Sequence, residues 1–254
     1  MMKVTILGSG TSQGVPVIAC DCEVCRSTDK RDKRLRCSAM IEIGDRKIVI
    51  DAGPDFRYQM LRAGVKDVRA LLLTHEHKDH IGGLDDIRAF NWVKQGKVDV
   101  YSNRRTVEAV KRDYAYAFEE VRYPGVPDMD LHVVGEDPFY IDEVEVVPLT
   151  VMHYKLPVTA FRIGGFAYIT DANYIPEEGM RKLEGVECLV IDALRRERHL
   201  SHFSLEEALE VIRRLGVKRA FLTHVGHQMG LTREVERTLP ANVRLAYDGL
   251  TFEV

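Results

Sequence analysis

The sequence predicts one layered α/β domain, and three observations carry that reading. Short β-type runs recur along the chain. Helical stretches lie between them. Several runs end in a residue that metals accept. The strand-like runs are 3–7, 39–43, 47–51, 69–73, 98–101, 143–149, 158–163, 166–170, 187–191 and 218–222. Ile48-Val49-Ile50 and Leu189-Val190-Ile191 are apolar without alternation, as in strands buried on both faces. The clearest helix spans 205–215, where Leu205, Ala208, Ile212 and Leu215 share one face and Ser204 with Glu207 forms a capping box. A second helical stretch, 104–120, follows the turn residues Ser102-Asn103. The segment 123–138 carries Pro124-Gly125, Pro127 and Pro138 and reads as a loop. No repeat with a period of roughly 20–50 residues and no linker divides the chain, so 1–254 reads as a single domain.

A chain of 254 residues can bury about 70–75% of its unfolded surface without help from disulfides. The 36 basic and 39 acidic residues leave a net charge of −3, which argues against binding long nucleic acid by charge alone. No apolar run approaches the roughly 18 residues of a membrane span. The opening stretch Lys3-Val4-Thr5-Ile6-Leu7 is too short for a signal-peptide core, so the expected location is the cytoplasm. Three of the five cysteines crowd into Cys20-Asp21-Cys22-Glu23-Val24-Cys25. Disulfides between such near neighbours would be strained, and a metal site suits a reducing compartment better. Cys37 and Cys188 lie beside or within strand-like runs and read as small buried apolar residues.

Asp51, His75, Asp171, Asp192 and His224 each end an apolar run, which points to one shared edge with a site built from several loops. The densest signal is His75-Glu76-His77-Lys78-Asp79-His80, directly after Ala70-Leu71-Leu72-Leu73. Its three imidazoles and the Asp79 carboxylate are ligands that zinc, manganese or iron accept. A helix would scatter these side chains, whereas a loop leaving a buried strand can aim them at one point.

The pattern His75-x-His77-x-Asp79-His80, followed by His153, Asp171 and His224, resembles the ligand set of the metallo-β-lactamase superfamily. Ile50-Asp51-Ala52-Gly53 matches its first motif. The resemblance implies a four-layer αβ/βα sandwich with a dinuclear metal site at one edge. In that frame His75, His77 and His153 hold one metal, and Asp79, His80 and His224 hold the other. Asp171 bridges them, and Asp51 orients a ligand loop. Paired divalent ions, Mn2+ or Zn2+, can turn a bridging water into hydroxide and clamp the oxygens of a phosphoryl displacement.

Two features narrow the branch. Cys20, Cys22 and Cys25 leave a tetrahedral zinc one ligand short, and His227, three residues after His224, can complete a structural site. That site would pin a Cys-rich loop at about 20–37. The Cys cluster and the paired His resemble the PhnP-like family, the phosphoribosyl cyclic phosphate phosphodiesterases of the C–P lyase pathway. The resemblance also places a general-acid His at His202, with His199 as a nearby rival. An alkoxide is a poor leaving group, so a proton donor matters, and an imidazolium suits neutral pH. His202 and Asp79 are the residues expected to act in the reaction itself. His132 reads as surface. Gly8-Ser9-Gly10-Thr11-Ser12-Gln13-Gly14 reads as a tight turn whose N–H groups can meet a phosphate. Arg57, Arg88, Lys155 and Asn173 are candidate phosphate contacts.

The expected activity is metal-dependent hydrolysis of a small phosphodiester to a phosphomonoester. The ester is expected to be cyclic, with phosphoribosyl 1,2-cyclic phosphate the case the resemblance implies. The alternatives are a ribonuclease that processes tRNA 3′ ends and a non-hydrolytic protein of pyrroloquinoline quinone assembly. The family resemblance also implies a homodimer, for which the sequence shows no interface.

Overall fold

The computed structural model describes residues 1–121 and 123–254. Two seven-stranded sheets account for most of the core. The first holds β1 (Met2–Gly8), β2 (Ser38–Ile43), β3 (Arg46–Ile50), β4 (Ala70–Leu72), β5 (Val98–Ser102) and β6 (Met129–Val133). The second holds β7 (Phe139–Ile141), β8 (Val144–His153), β9 (Leu156–Ile163), β10 (Phe166–Ile169), β11 (Cys188–Asp192), β12 (Arg219–Thr223) and β13 (Val243–Leu245), and β14 (Thr251–Glu253) returns to the outer edge of the first. The helices are α1 (Glu23–Arg26), α2 (Phe56–Ala63), α3 (Lys78–Ile81), α4 (Arg88–Lys94), α5 (Arg104–Asp113), α6 (Glu177–Lys182), α7 (Leu205–Leu215) and α8 (Thr232–Val235). None is long and apolar enough to cross a membrane among the described residues.

Alternation along the buried strands sorts the side chains into three apolar layers. Ile48 and Ile50 of β3 meet Phe161, Tyr168 and Val190 between the sheets. Val49 faces the other way, onto Phe56 and Met60 of α2 and Phe90 of α4. In β11, Leu189 and Ile191 face Ala208, Val211 and Ile212 of α7. Helices therefore cover the outer face of each sheet, giving the αβ/βα sandwich. The helix at α7 has the predicted bounds, with the Ser204–Glu207 capping box formed and Gly216 closing it in the left-handed region.

Strands β3 to β6 run parallel, as do β10 to β13, and the residues beyond their C-terminal ends collect at one edge of the sandwich. That is where open α/β sheets place ligands. Three residues at this edge hold positive φ despite carrying side chains: Asp51 (63°), Asp171 (52°) and His224 (55°). Such backbone persists only where the surroundings over-determine it.

The structure corrects two local readings. The segment 123–138 is not all loop, because Met129–Val133 pairs with β5 as an edge strand. Its prolines flank the strand, and its exposed polar positions dilute the pattern. The helix expected over 104–120 ends at Asp113, and a 3₁₀ turn over Ala115–Ala117 follows. In the glycine-rich turn, four N–H groups are already taken within the fold. Ser9 donates to Asp248, Gly10 to the Leu35 carbonyl, Thr11 to Val225 and Gly14 to Thr11.

Candidate metal centre

The His75 run splits into two local structures. His75 and His77 leave β4 on a loop, and Asp79 and His80 sit in the single turn of α3. The expectation of one loop was thus half right. The turn is seated by Gly53, where an added Cβ would lie 2.0 Å from the Asp79 carbonyl oxygen. Only a glycine allows that approach.

Three of the imidazoles are oriented by a hydrogen bond at Nδ1. His80 Nδ1 lies 2.7 Å from Asp51 Oδ2. His75 Nδ1 lies 3.0 Å from the Thr74 hydroxyl, which itself donates to Asp51. His153 Nδ1 lies 2.8 Å from the Ser201 carbonyl, which only an N–H can satisfy. These contacts leave Nε2 of the three rings for the interior. Asp51 thus contacts His80 directly and reaches His75 through Thr74.

The donor atoms converge. His75 Nε2 is 2.9 Å from His77 Nδ1. Asp171 Oδ2 is 3.1 Å from His80 Nε2, and its Oδ1 is 3.2 Å from His224 Nε2 and 4.0 Å from His75 Nε2. Asp79 Oδ2 is 3.1 Å from His80 Nε2 and 3.9 Å from His224 Nε2. The His153 ring is 5.4 Å from that of His77. Ligands sharing one ion at about 2.0–2.1 Å stand roughly 3.3 Å apart, so the spacing fits a metal. His80 Nε2 and both nitrogens of His224 are buried and make no hydrogen bond of good geometry. Such orphaned, buried donor atoms are what a cation would satisfy.

The electrostatics agree. Burial opposes charge on every group, yet His80 is driven well above its ordinary value, chiefly by Asp171 and Asp51. Burial likewise opposes ionisation of Asp171, but His224 and His80 hold its carboxyl well below the usual range. In the metal-free protein, protons on imidazoles supply the positive charge these carboxylates demand.

His202 stands beside this cluster. Its ring is 4.5 Å from that of His153 and stacks 4.6 Å from that of His224. Phe203 fixes it, its N–H donating to Ala172 and its carbonyl accepting from Leu194. His202 Nδ1 is 3.1 Å from Asp192 Oδ2. Asp192 was legible as a strand end, but its partnership with His202 was not. Burial, reinforced by His224, brings the His202 imidazole down to about 3, so in the metal-free pocket it is neutral rather than the expected imidazolium. His199 is a poorer candidate, because its Nδ1 faces Ser201 at 3.3 Å.

The second cluster forms as a unit. His227 Nδ1 lies 3.2, 3.4 and 3.6 Å from the sulfurs of Cys20, Cys22 and Cys25. Tetrahedral zinc at about 2.3 Å from sulfur and 2.0–2.1 Å from nitrogen sets these atoms roughly 3.5 Å apart. Burial raises the Cys22 thiol, but N–H donation from Cys25 and contacts with His227, Cys20 and Cys25 outweigh it and bring it down to about 6. The loop is docked by Arg34, buried against Ser9, Ala246 and Thr232, and by Asp32 on Thr232.

The candidate phosphate contacts are not gathered in this way. Asn173 Oδ1 accepts from Tyr154 N–H at 2.7 Å and so shapes the turn after His153. Lys155 is exposed in that turn, its ammonium 5.4 Å from the Tyr154 ring. Arg57 is exposed in the first turn of α2, and Arg88 pairs with Asp85. His132 stacks on Tyr101 and bonds Asp99, outside the His75 cluster.

Residues 46–225 match the β-lactamase superfamily domain. A solved structure described as a new diphosphatase from the PhnP family superposes with a TM-score of 0.93 at 37% identity, covering 99% of this chain and 96% of that one. The chain belongs to the PhnP family. A curated octanoyltransferase of Porphyromonas gingivalis is 41% identical over 253 residues, 98% of this PhnP-family chain, which spans about half (51%) of that protein's length. Zn2+-bound PqqB from Methylobacterium extorquens shares the fold at 19% identity, with a TM-score of 0.78 and coverage of 99% and 100%. A ribonuclease Z from Mycobacterium sp. (strain KMS) is 27% identical over 88% of this chain and 84% of its own. Membership makes the PhnP-family chain a metal-dependent hydrolase and implies divalent metal binding.

Proposed function

We propose that this protein hydrolyses a small phosphodiester, with a cyclic ribose phosphate as the leading substrate. The observation that carries the reading is the Asp192–His202 pair at 3.1 Å, set beside a convergent His and Asp cluster. Hydrolysis of an alkyl phosphate expels a poor leaving group, and an oriented imidazole can supply its proton.

His75, His77 and His153 would hold one divalent ion, and Asp79, His80 and His224 a second, with Asp171 between them. Manganese and zinc both suit this set. When bound, such a pair supplies a water nucleophile at neutral pH and neutralises charge on phosphoryl oxygens. Asp51 and Thr74 hold the imidazoles in their donor tautomers. Burial pushes the Asp192 carboxyl well above its ordinary range in the metal-free pocket; in its ionised form it would keep the His202 proton at Nδ1 and favour the charged ring once a proton arrives at Nε2. An anionic phosphate beside His202 favours the same form, offsetting the burial that makes the empty pocket's imidazole neutral. His202 Nε2 then gives its proton to the departing oxygen.

His77 is exposed and His153 half-buried, whereas His75, His80, Asp171 and His224 are buried, so substrate enters from the His77 side. Lys78 and Lys155 are the cations nearest that opening in sequence, and Lys78 pairs with Asp113. A Cys20-Cys22-Cys25-His227 zinc would brace the loop at about 20–37 against the strand end that carries His224. The PhnP-family neighbour described as a diphosphatase supports a second candidate, a phosphoric anhydride. Hydrolysis of phosphoribosyl 1,2-cyclic phosphate against a nucleoside diphosphate ester, at matched metal loading, separates the two. A preference for the anhydride would overturn the cyclic-diester assignment.

A further inference from the structure

Asp171 is held by a buried polar chain that the scheme above leaves out. Thr170 Oγ1 donates to Asp171 Oδ2 at 2.7 Å. Cys37 Sγ lies 3.2 Å from the same Thr170 oxygen. The Tyr168 hydroxyl is buried nearby and makes no hydrogen bond of good geometry among the described residues. Tyr168 and Thr170 are fully buried and Cys37 is 1% exposed. The chain also joins the sheets, since Cys37 leads into β2 and Thr170 follows β10.

Donor counting fixes its direction. An ionised carboxylate only accepts, so the single Thr170 hydroxyl hydrogen is committed to Asp171. The rest of the Thr170 oxygen can only accept. Cys37 must therefore donate, and an ordinary thiol carries its hydrogen at neutral pH. Cys37 and Thr170 each pass a hydrogen one step toward Asp171, the arrangement in which successive hydrogen bonds polarise one another.

We propose that Cys37 is a positioning residue for the metal centre. Its S–H locks the Thr170 hydroxyl onto Asp171 Oδ2, which fixes the plane of the carboxylate set between His80 and His224. The inference rests on Asp171 being a metal ligand and not on the identity of the substrate. Partners of this kind typically change metal affinity by about 10–100-fold.

The test is loss of metal from the zinc-loaded protein to excess EDTA, followed as protein-bound metal over time. Cys37→Val keeps the side-chain bulk without a donor, Cys37→Ser keeps a donor, and Thr170→Val removes the relay. Release from the Cys20-Cys22-Cys25-His227 cluster, assigned with Cys22→Ser, is the internal control. We expect Cys37→Val and Thr170→Val to release active-site metal at least about tenfold faster, with the control phase unchanged. Cys37→Ser should stay close to the parent. Retention by folded Cys37→Val, or failure of folded Cys37→Ser to rescue, would overturn the proposal. If Cys37→Val does not fold, retention by Thr170→Val overturns it, and fast release from Thr170→Val with slow release from Cys37→Ser supports it. No substrate enters the measurement, so its outcome is independent of the proposed hydrolysis.

Discussion

Asp51 Oδ2 lies 2.7 Å from His80 Nδ1, and both groups are fully excluded from solvent. Asp51 also accepts from the Thr74 N–H and hydroxyl, and Thr74 contacts His75. One carboxylate thus sets two imidazoles that serve different sides of the cluster. Asn tolerates the left-handed backbone at this position, so Asp51→Asn tests the charge rather than the fold. Its metal affinity should fall by about 10–100-fold with little change in the metal-free protein. Calorimetric titration of chelated protein with zinc checks this.

Asp192→Asn should leave metal content intact and slow alkyl phosphodiesters by about 10²–10⁴-fold in kcat. Esters with p-nitrophenolate as the leaving group need less proton donation and should be slowed far less. Equal losses on both ester types would remove the proton-donor role from His202.

The zinc loop should govern stability rather than chemistry. His227→Ala removes the imidazole that meets all three sulfurs. Its thermal midpoint should drop by roughly 5–10 °C, the size of an about 2–3 kcal/mol loss in a chain of this length. Turnover below the transition should persist. A midpoint equal to the parent's would show that the cluster binds nothing structural.

Much of this was legible from the sequence. Most strands that lead into the His and Asp cluster are buried on both faces, so their continuous apolar runs stand out, and the cluster residues follow those runs. Strands β6, β7, β13 and β14 were missed because they are short or at sheet edges, where half the positions are polar or too few to show a period. Asp192 was visible only as a strand end. Its meaning depends on a loop ten residues later folding back, which spacing does not encode. Cys37 looked like an apolar filler, and its contact with Thr170 spans 133 positions and both sheets.

Arg69 ties the sheets before the N-terminal end of β4, opposite the metal edge, by bonding Asp99 and Asp142. The Arg69 hydrogen bonds hold the Asp142 carboxyl below its ordinary value. Asp99 is also lowered, where bonds from His132 and Arg69 outweigh burial. A depressed carboxyl contributes stability that is full above its unfolded value near 3.8 and is lost as pH falls through the folded value. The Arg69→Ala protein should therefore be less stable than the parent at pH 7, and the gap should close below about pH 4. The groups are partly exposed, so the gap should be about 1 kcal/mol or less and shrink with salt. Denaturant melts across pH check the trend.

The central claim is metal-dependent hydrolysis of small phosphodiesters with His202 as proton donor. The most direct measurement is turnover by metal-reconstituted protein, with His202→Ala in parallel. The panel is bis-p-nitrophenyl phosphate, 2′,3′-cyclic nucleotides, phosphoribosyl cyclic phosphate and a precursor tRNA. The account predicts turnover of the small diesters, collapse on the cyclic alkyl esters in the variant, and no cleavage of tRNA. Two metals bound per active site with no diester turned over would contradict it.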